Sequence, residues 1–216
     1  MDITLSKIAN FVIEGNAGEI PQLVQTALQD GQDPQEILNQ GLIAGMDVVG
    51  KRFKEGDMYV PEVIASSKAM HAGLDLLKPL LSKSSGSQSG VVILGTIKGD
   101  VHDIGKSLVS SMLEGAGFEV VDIGVDVAPE RFVEVCLEKK AHIIGISSLL
   151  TTTMVHMPAV LHKLEQEGLR EQIKVMIGGA PVTTEYAQQI GADGYAADAA
   201  SAVDVARDLM ARRGTR

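Results

Sequence analysis

Apolar residues recur at helical spacing over the first eighty positions and in short unbroken runs over the rest. Ile37, Leu38, Leu42, Met46, Val49 and Phe53 repeat every three or four residues, which puts one stripe of a helix against a core. Asp33-Pro34-Gln35-Glu36 supplies the start: Asp33 caps, Pro34 suits the first turn and Glu36 completes a capping box. Lys54-Glu55-Gly56-Asp57 ends the run, and Pro61 opens another helix with Val63, Ile64, Met70, Leu74 and Leu77 inward. Segments around Leu5 to Val12 and Ile20 to Leu28 add two more. The expectation for residues 1–81 is a four-helix bundle with no strand. Residues 82–90, SKSSGSQSG, read as a linker.

Over residues 91–216 the grammar changes. Apolar runs at Val91–Gly95, Glu119–Ile123, His142–Ser147, Lys174–Ile177 and, more weakly, Gly194–Ala196 alternate with amphipathic stretches. Strands of this kind separated by helices predict a parallel sheet covered on both faces. The fold class expected is α/β: a helical bundle followed by a flavodoxin-like (Rossmann-type), doubly wound, five-stranded domain. Ligands of such sheets bind beyond the carboxyl ends of the strands. Three loops there carry chemistry: Gly99-Asp100-Val101-His102-Asp103-Ile104-Gly105 after the first strand, Ser147 to Thr153 after the third, and Gly178-Gly179-Ala180-Pro181 after the fourth.

A histidine beside a carboxylate is a base or a metal ligand. A ligating His usually gives its second N–H to a carboxylate, and Asp100, two residues before His102, is placed to accept it. No nucleophile elbow surrounds the Ser and Thr hydroxyls, which weighs against a hydrolase triad. A zinc site wants three or four protein ligands, and the crevice loops offer one good His and no Cys. A single protein ligand suffices for a metal that arrives with a macrocycle. The plainer reading is that Asp100 or Asp103 caps the following helix and His102 is an ordinary loop residue. His71, His156 and His162, on helices, and His142, opening a strand, read as solvated or core-edge groups.

Composition narrows the partners. Of 216 residues, 45% are apolar and only 3% aromatic, with no Trp, so the core must be aliphatic. A net charge of −9 without any basic run argues against nucleic acid. The lone Cys136 excludes an intramolecular disulfide and reads as a buried helix residue. Neither a signal peptide nor an apolar stretch of membrane-spanning length is evident, so no membrane partner and a cytoplasmic location are expected.

The three loops resemble the signature of cobalamin-binding domains: D-x-H-x-x-G in Asp100–Gly105, S-x-L in Ser147-Ser148-Leu149, and G-G in Gly178-Gly179. The first half resembles the helical cap of corrinoid methyltransferase modules through Gly45–Gly50 and Met58–Val63. Nearly the whole chain is thus similar to the corrinoid proteins of methyl-transfer systems, related to the cobalamin module of methionine synthase. The resemblance implies cobalamin or a related corrinoid, with His102 as the lower axial ligand of cobalt. It implies contacts from Gly99, Asp100, Val101, Asp103, Ile104 and Gly105. The displaced nucleotide tail would run beside Gly105, Ser147, Leu149, Gly178 and Gly179, with Thr151 touching the corrinoid and Ala199 making a further contact. In the His–Asp–hydroxyl relay of the family, the hydroxyl place falls on Thr153, where methionine synthase has Ser. Met46, Phe53 and Val60 would belong to the cap over the upper face, Val60 being smaller than the Leu of methionine synthase.

By the same analogy the protein is a non-catalytic carrier. Cobalt would take a methyl group from a donor-specific methyltransferase and pass it to a second methyltransferase serving a folate or thiol acceptor, with a reductive activase as a further partner. The linker would let the cap swing aside in each cycle. Rival readings are a cobalamin-dependent sensor or regulator, the small subunit of an adenosylcobalamin mutase, and a flavodoxin-like domain with no corrinoid.

Overall fold

The computed structural model describes residues 3–81 and 89–213, so Ser82–Gln88 of the expected linker lie outside the described residues. The chain divides into two compact units, residues 1–87 with 115–117 and residues 88–114 with 118–216.

The first unit is helical. α1 (Ile3–Ile13) buries Leu5, Ile8 and Val12, and α2 (Ile20–Gln29) buries Ile20, Val24 and Ala27. Next comes one long helical run: α3 (Pro34–Glu36), a π-helical segment (Ile37–Ile43) and α4 (Ala44–Glu55). Asp33 caps it by accepting the Gln35 N–H at 2.7 Å. The back-bond of a capping box forms at the next helix, α5 (Val60–Leu81), where the Glu62 carboxylate accepts the Tyr59 N–H at 2.8 Å. The π turns have a sequence cause. Ile37, Gly41, Gly45 and Val49, and likewise Leu38, Leu42 and Met46, are buried at strict four-residue intervals. An α-helix carries such a series steadily around its axis. The wider π turn, closed by i→i+5 hydrogen bonds, rotates less per residue and brings the series back onto one face.

Core packing in this unit leaves no room at Gly45, where a Cβ would lie 2.7 Å from Val12 Cβ and 2.8 Å from the Ala9 carbonyl. α5 presents Val63, Met70 and Leu77 inward as expected, but Ile64 is 42% exposed. The helical stripe centred on Val63, Met70 and Leu77 leaves Ile64, one residue on, beyond its edge.

The second unit is a five-stranded, all-parallel sheet of order β2-β1-β3-β4-β5. Its strands are β1 (Val91–Thr96), β2 (Glu119–Asp122), β3 (Ile143–Ser147), β4 (Lys174–Gly178) and β5 (Gly194–Ala196). Its helices are α6 (Ile104–Gly115), α7 (Pro129–Glu138), α8 (Thr151–Met154), α9 (Met157–Gln166), α10 (Thr184–Ile190) and α11 (Ala199–Arg213). β1 and β3 are buried nearly throughout, whereas β2 is an edge strand with exposed ends. Ile93, Ile144 and Val175 join Phe132, Val160 and Leu164 in an aliphatic core that also takes in Cys136. His142 falls just outside β3 and accepts the Val91 N–H on its Nδ1, and His156 lies in the turn before α9 rather than on a helix. The register sets Thr96 beside Ser147 and Ser147 beside Gly178, so the carboxyl ends of β1, β3 and β4 finish level. The chain turns in opposite directions from β1 to β2 and from β1 to β3. The crevice of such a sheet therefore opens where β1 and β3 end.

Candidate functional site

At that point the loop after β1 folds back so that Asp100 is fully buried while His102 stays half-exposed. His102 Nδ1 lies 2.6 Å from Asp100 Oδ1, which also accepts the His102 backbone N–H at 3.1 Å. The other carboxylate oxygen is held from the loop after β3. Leu149 donates its backbone N–H at 2.7 Å, Thr153 its hydroxyl at 2.8 Å, and Ser148 Oγ lies 3.3 Å away. Ser148 and Thr153 hydroxyls are 2.7 Å apart, and both reach the Leu150 carbonyl.

Burial alone would raise the Asp100 pKa. The Leu149 N–H, the His102 ring and N–H, and the Thr153 hydroxyl outweigh it and hold the carboxyl far below the usual carboxylate range. Asp100 is therefore ionised at neutral pH and has no proton to give. The hydrogen on His102 Nδ1 must be the one shared, so in the neutral ring the lone pair is on Nε2. Among the described residues no group of three or more His, Cys, Asp or Glu side chains is disposed to hold a bare metal ion. A metal at Nε2 must bring most of its own ligands.

The surroundings suit a large flat apolar ligand. Val101 is 70% and Ile104 80% exposed beside His102, with Leu149 and Leu150 exposed on the adjoining loop. Exposed apolar side chains on the two loops that hold one histidine mark a binding face. Gly105, on the first turn of α6, has no protein atom within 4 Å of where a Cβ would sit, so packing does not explain the glycine. Gly179 is different: its φ is +122° and a Cβ would fall 1.8 Å from the Ser148 carbonyl oxygen. It lets the β4 loop lie flat against the β3 loop that carries the hydroxyls. These features fit a large flat cofactor such as a corrin.

The fold thus brings together the predicted Gly99, Asp100, Val101, His102, Asp103, Ile104, Gly105, Ser147, Leu149, Thr151, Thr153, Gly178 and Gly179. Ser147 uses its carbonyl to accept the Ile97 N–H, and Thr151 is exposed at the start of α8. Ala199, buried at the start of α11, follows the edge strand β5. Met46, Phe53 and Val60 belong to the helical unit, Met46 buried in its core and the other two half-buried. Sequence reasoning overlooked Ser148, the Leu149 amide, and Thr96, whose hydroxyl donates to the His102 carbonyl at 2.8 Å.

A flavodoxin-like sheet that offers one histidine held by a buried carboxylate, with exposed apolar side chains on the same loops, defines a protein fit to bind a metal macrocycle at its topological switch point. Comparison with known proteins agrees. Two models described as B12 binding domains match residues 90–204 and 4–78. The dimethylamine corrinoid protein of Methanosarcina barkeri is 46% identical over 208 residues, 96% of this chain and 97% of that one. A corrinoid protein of Desulfitobacterium hafniense is 38% identical over 211 residues, 96% and 98% of the two chains. Among solved structures, the methanol:cobalamin methyltransferase complex MtaBC from M. barkeri superimposes with a TM-score of 0.87 at 31% identity, over 97% of this chain and 80% of that chain. The chain belongs to the B12-binding corrinoid proteins, and its cofactor is cobalamin or a related corrinoid. Among the described residues no helix is long and apolar enough to cross a membrane.

Proposed function

We propose that this protein is a methyl carrier: it accepts a methyl group on its corrinoid from a donor-specific methyltransferase and yields it to a second methyltransferase serving a thiol or folate acceptor. The observation that carries the reading is the buried relay from the Ser148 and Thr153 hydroxyls through Asp100 to His102. The bound corrinoid supplies a cobalt centre that takes up and gives off a methyl group. The rest is the work of this chain. His102 Nε2 would be the protein's donor to the corrinoid cobalt, and its strength as a donor is what this chain can set. Asp100, held ionised, strengthens His102 as a donor and stabilises positive charge on the ring, while Thr153 and Ser148 fix the carboxylate that does so. Gly105, Ser147, Leu149, Gly178 and Gly179 leave a path for the nucleotide tail, with Gly99, Val101, Asp103, Ile104, Thr151 and Ala199 completing the contacts. By the family resemblance Met46, Phe53 and Val60 of the helical unit would belong to the cap that shields the corrinoid. A reductive activase is a third partner. Relatives named for dimethylamine support a methylated amine as the donor on the partner's side.

The test is an absorption spectrum of the purified chain after incubation with cobalamin and desalting, beside His102→Ala treated alike. Wild type should retain corrinoid with a cobalt-ligand spectrum that the variant lacks. Folded wild-type protein without corrinoid would overturn the reading, as would full-rate methylation by a free donor with no partner enzyme. Gly105→Leu sharpens the assignment of the tail. On α6 it should raise apo-protein stability by roughly 0.5–1 kcal/mol, since glycine is a poor helix former, yet abolish corrinoid retention. Undiminished retention would remove Gly105 from the proposed path.

A further inference from the structure

The β1 loop that carries His102 is gripped from two sides, and the second grip comes from Asp126, in the loop between β2 and α7. Asp126 Oδ1 accepts the Gly99 N–H at 2.7 Å, and its own N–H donates to the Asp100 carbonyl at 2.8 Å. The loop lies along β1 through further main-chain bonds: Thr96 N–H to the Gly124 carbonyl, and Val127 N–H to the Thr96 carbonyl. Thus the carboxylate of Asp100 is set by the β3 loop and its carbonyl by the β2 loop.

Asp126 holds this grip in the left-handed region, with φ +53°, which costs every non-glycine residue something and Asp and Asn least. Among the described residues one other non-glycine is left-handed, Lys140. That one has an ordinary explanation: it closes α7, with the Lys140 and Ala141 N–H groups returning to the Leu137 and Cys136 carbonyls. Asp126 closes no helix, is exposed and anchors no core. A strained residue outside the core persists where its surroundings over-determine it, and such residues gather at functional sites.

We infer that Asp126 is a positioning residue for His102: by fixing Gly99 and Asp100 together it sets how readily the imidazole ligates the corrinoid cobalt. The inference rests on the proposed role of His102. Glycine at 126 removes the acceptor and the strain at once, alanine removes the acceptor and keeps the strain, and asparagine keeps an Oδ1 acceptor and tolerates the left-handed region.

The experiment compares wild type, His102→Ala, Asp126→Asn, Asp126→Ala and Asp126→Gly as full chains. The cobalamin-loaded forms are read by absorption for the ratio of His-ligated to unligated cobalt. The apo forms are read by thermal melting and by amide exchange at Gly99. Asp126→Ala and Asp126→Gly should each lower the ligated ratio about tenfold, the size expected on losing a hydrogen bond to a charged acceptor, and expose the Gly99 amide to exchange. Asp126→Asn should stay near wild type in both. Asp126→Gly should melt close to wild type, which separates positioning from loss of fold. Unchanged ratios in the Ala and Gly variants overturn the inference, and so does an Asn variant that falls as far as Ala. A wild-type spectrum indistinguishable from that of His102→Ala instead overturns the axial-ligand reading beneath it.

Discussion

Replacing Asp100 by alanine should lower the stability of the apo α/β unit by about 3 kcal/mol, through the loss of a buried charged acceptor. The Leu149 amide and the Thr153 hydroxyl both point at that carboxylate, whose side chain has no exposure. Deleting it strands at least one buried donor. For a chain of this size the midpoint of thermal unfolding should fall by roughly 6–12 °C. Asp100→Asn separates stability from function. Its amide oxygen still accepts from Leu149, so its stability loss is smaller. Its NH₂ group then faces His102 Nδ1, which must become the acceptor, and the ring proton moves to Nε2. That tautomer has no lone pair for a metal. The Asn variant should therefore keep most of its apo stability yet show the spectrum of His102→Ala when loaded with cobalamin. If Asp100→Ala melts with wild type, or Asp100→Asn retains histidine ligation, the relay does not do what its geometry suggests.

Gly179→Ala should be more damaging than its size implies. A methyl group would fall on the Ser148 carbonyl, and φ +122° is a region that side-chain-bearing residues rarely adopt. The Ser148 N–H to Gly178 carbonyl bond and the Val182 N–H to Gly179 carbonyl bond tie the segment down on both sides, so relief requires parting the β3 and β4 loops. Backbone strain and overpacking together should cost about 3–5 kcal/mol. The shift would also move Ser148 and Thr153 relative to Asp100. Gly178→Ala is the control: its Cβ would meet the Ala196 carbonyl at 2.8 Å from an ordinary backbone conformation, so its cost should be smaller. Melting of the two apo variants in parallel checks the order, and equal midpoints would show that the close approach of the two loops is easily relaxed.

Most of the sheet was legible because β1, β3 and β4 are unbroken apolar runs that burial on both faces requires. The relay was legible as residues, Asp100, His102 and Thr153, since its chemistry is carried by side-chain type. Main-chain groups were not. Leu149 was singled out for its side chain, whereas its amide is what grips Asp100. Ser148 lay hidden inside a run of hydroxyls, and Thr96 read as an ordinary strand residue. Asp126 belongs to no motif of the first, third or fourth loop, and only the parallel pairing of β1 with β2 brings it to Gly99. Ile64 was misread because neighbouring apolar residues were assigned one face, when the stripe on α5 excludes it. The π turns were signalled by the strict four-residue spacing of Ile37, Gly41, Gly45 and Val49, but a helical period of three or four residues does not distinguish that spacing from an α stripe.

Those π turns make the helix tolerant of a change in its length. Removing an exposed residue of the π segment, Asn39 or Gln40, would let it relax into plain α-helix without sacrificing a backbone hydrogen bond. Because a π turn rotates less per residue than an α turn, the shortened α segment would turn the chain about as far as the present one does, and everything from Ala44 onward would keep roughly its present facing. Gly45 would still meet Val12, and Met46 and Val49 would stay on the core face they now occupy. A single-codon deletion that would rephase half of the bundle in an ordinary helix would here be absorbed.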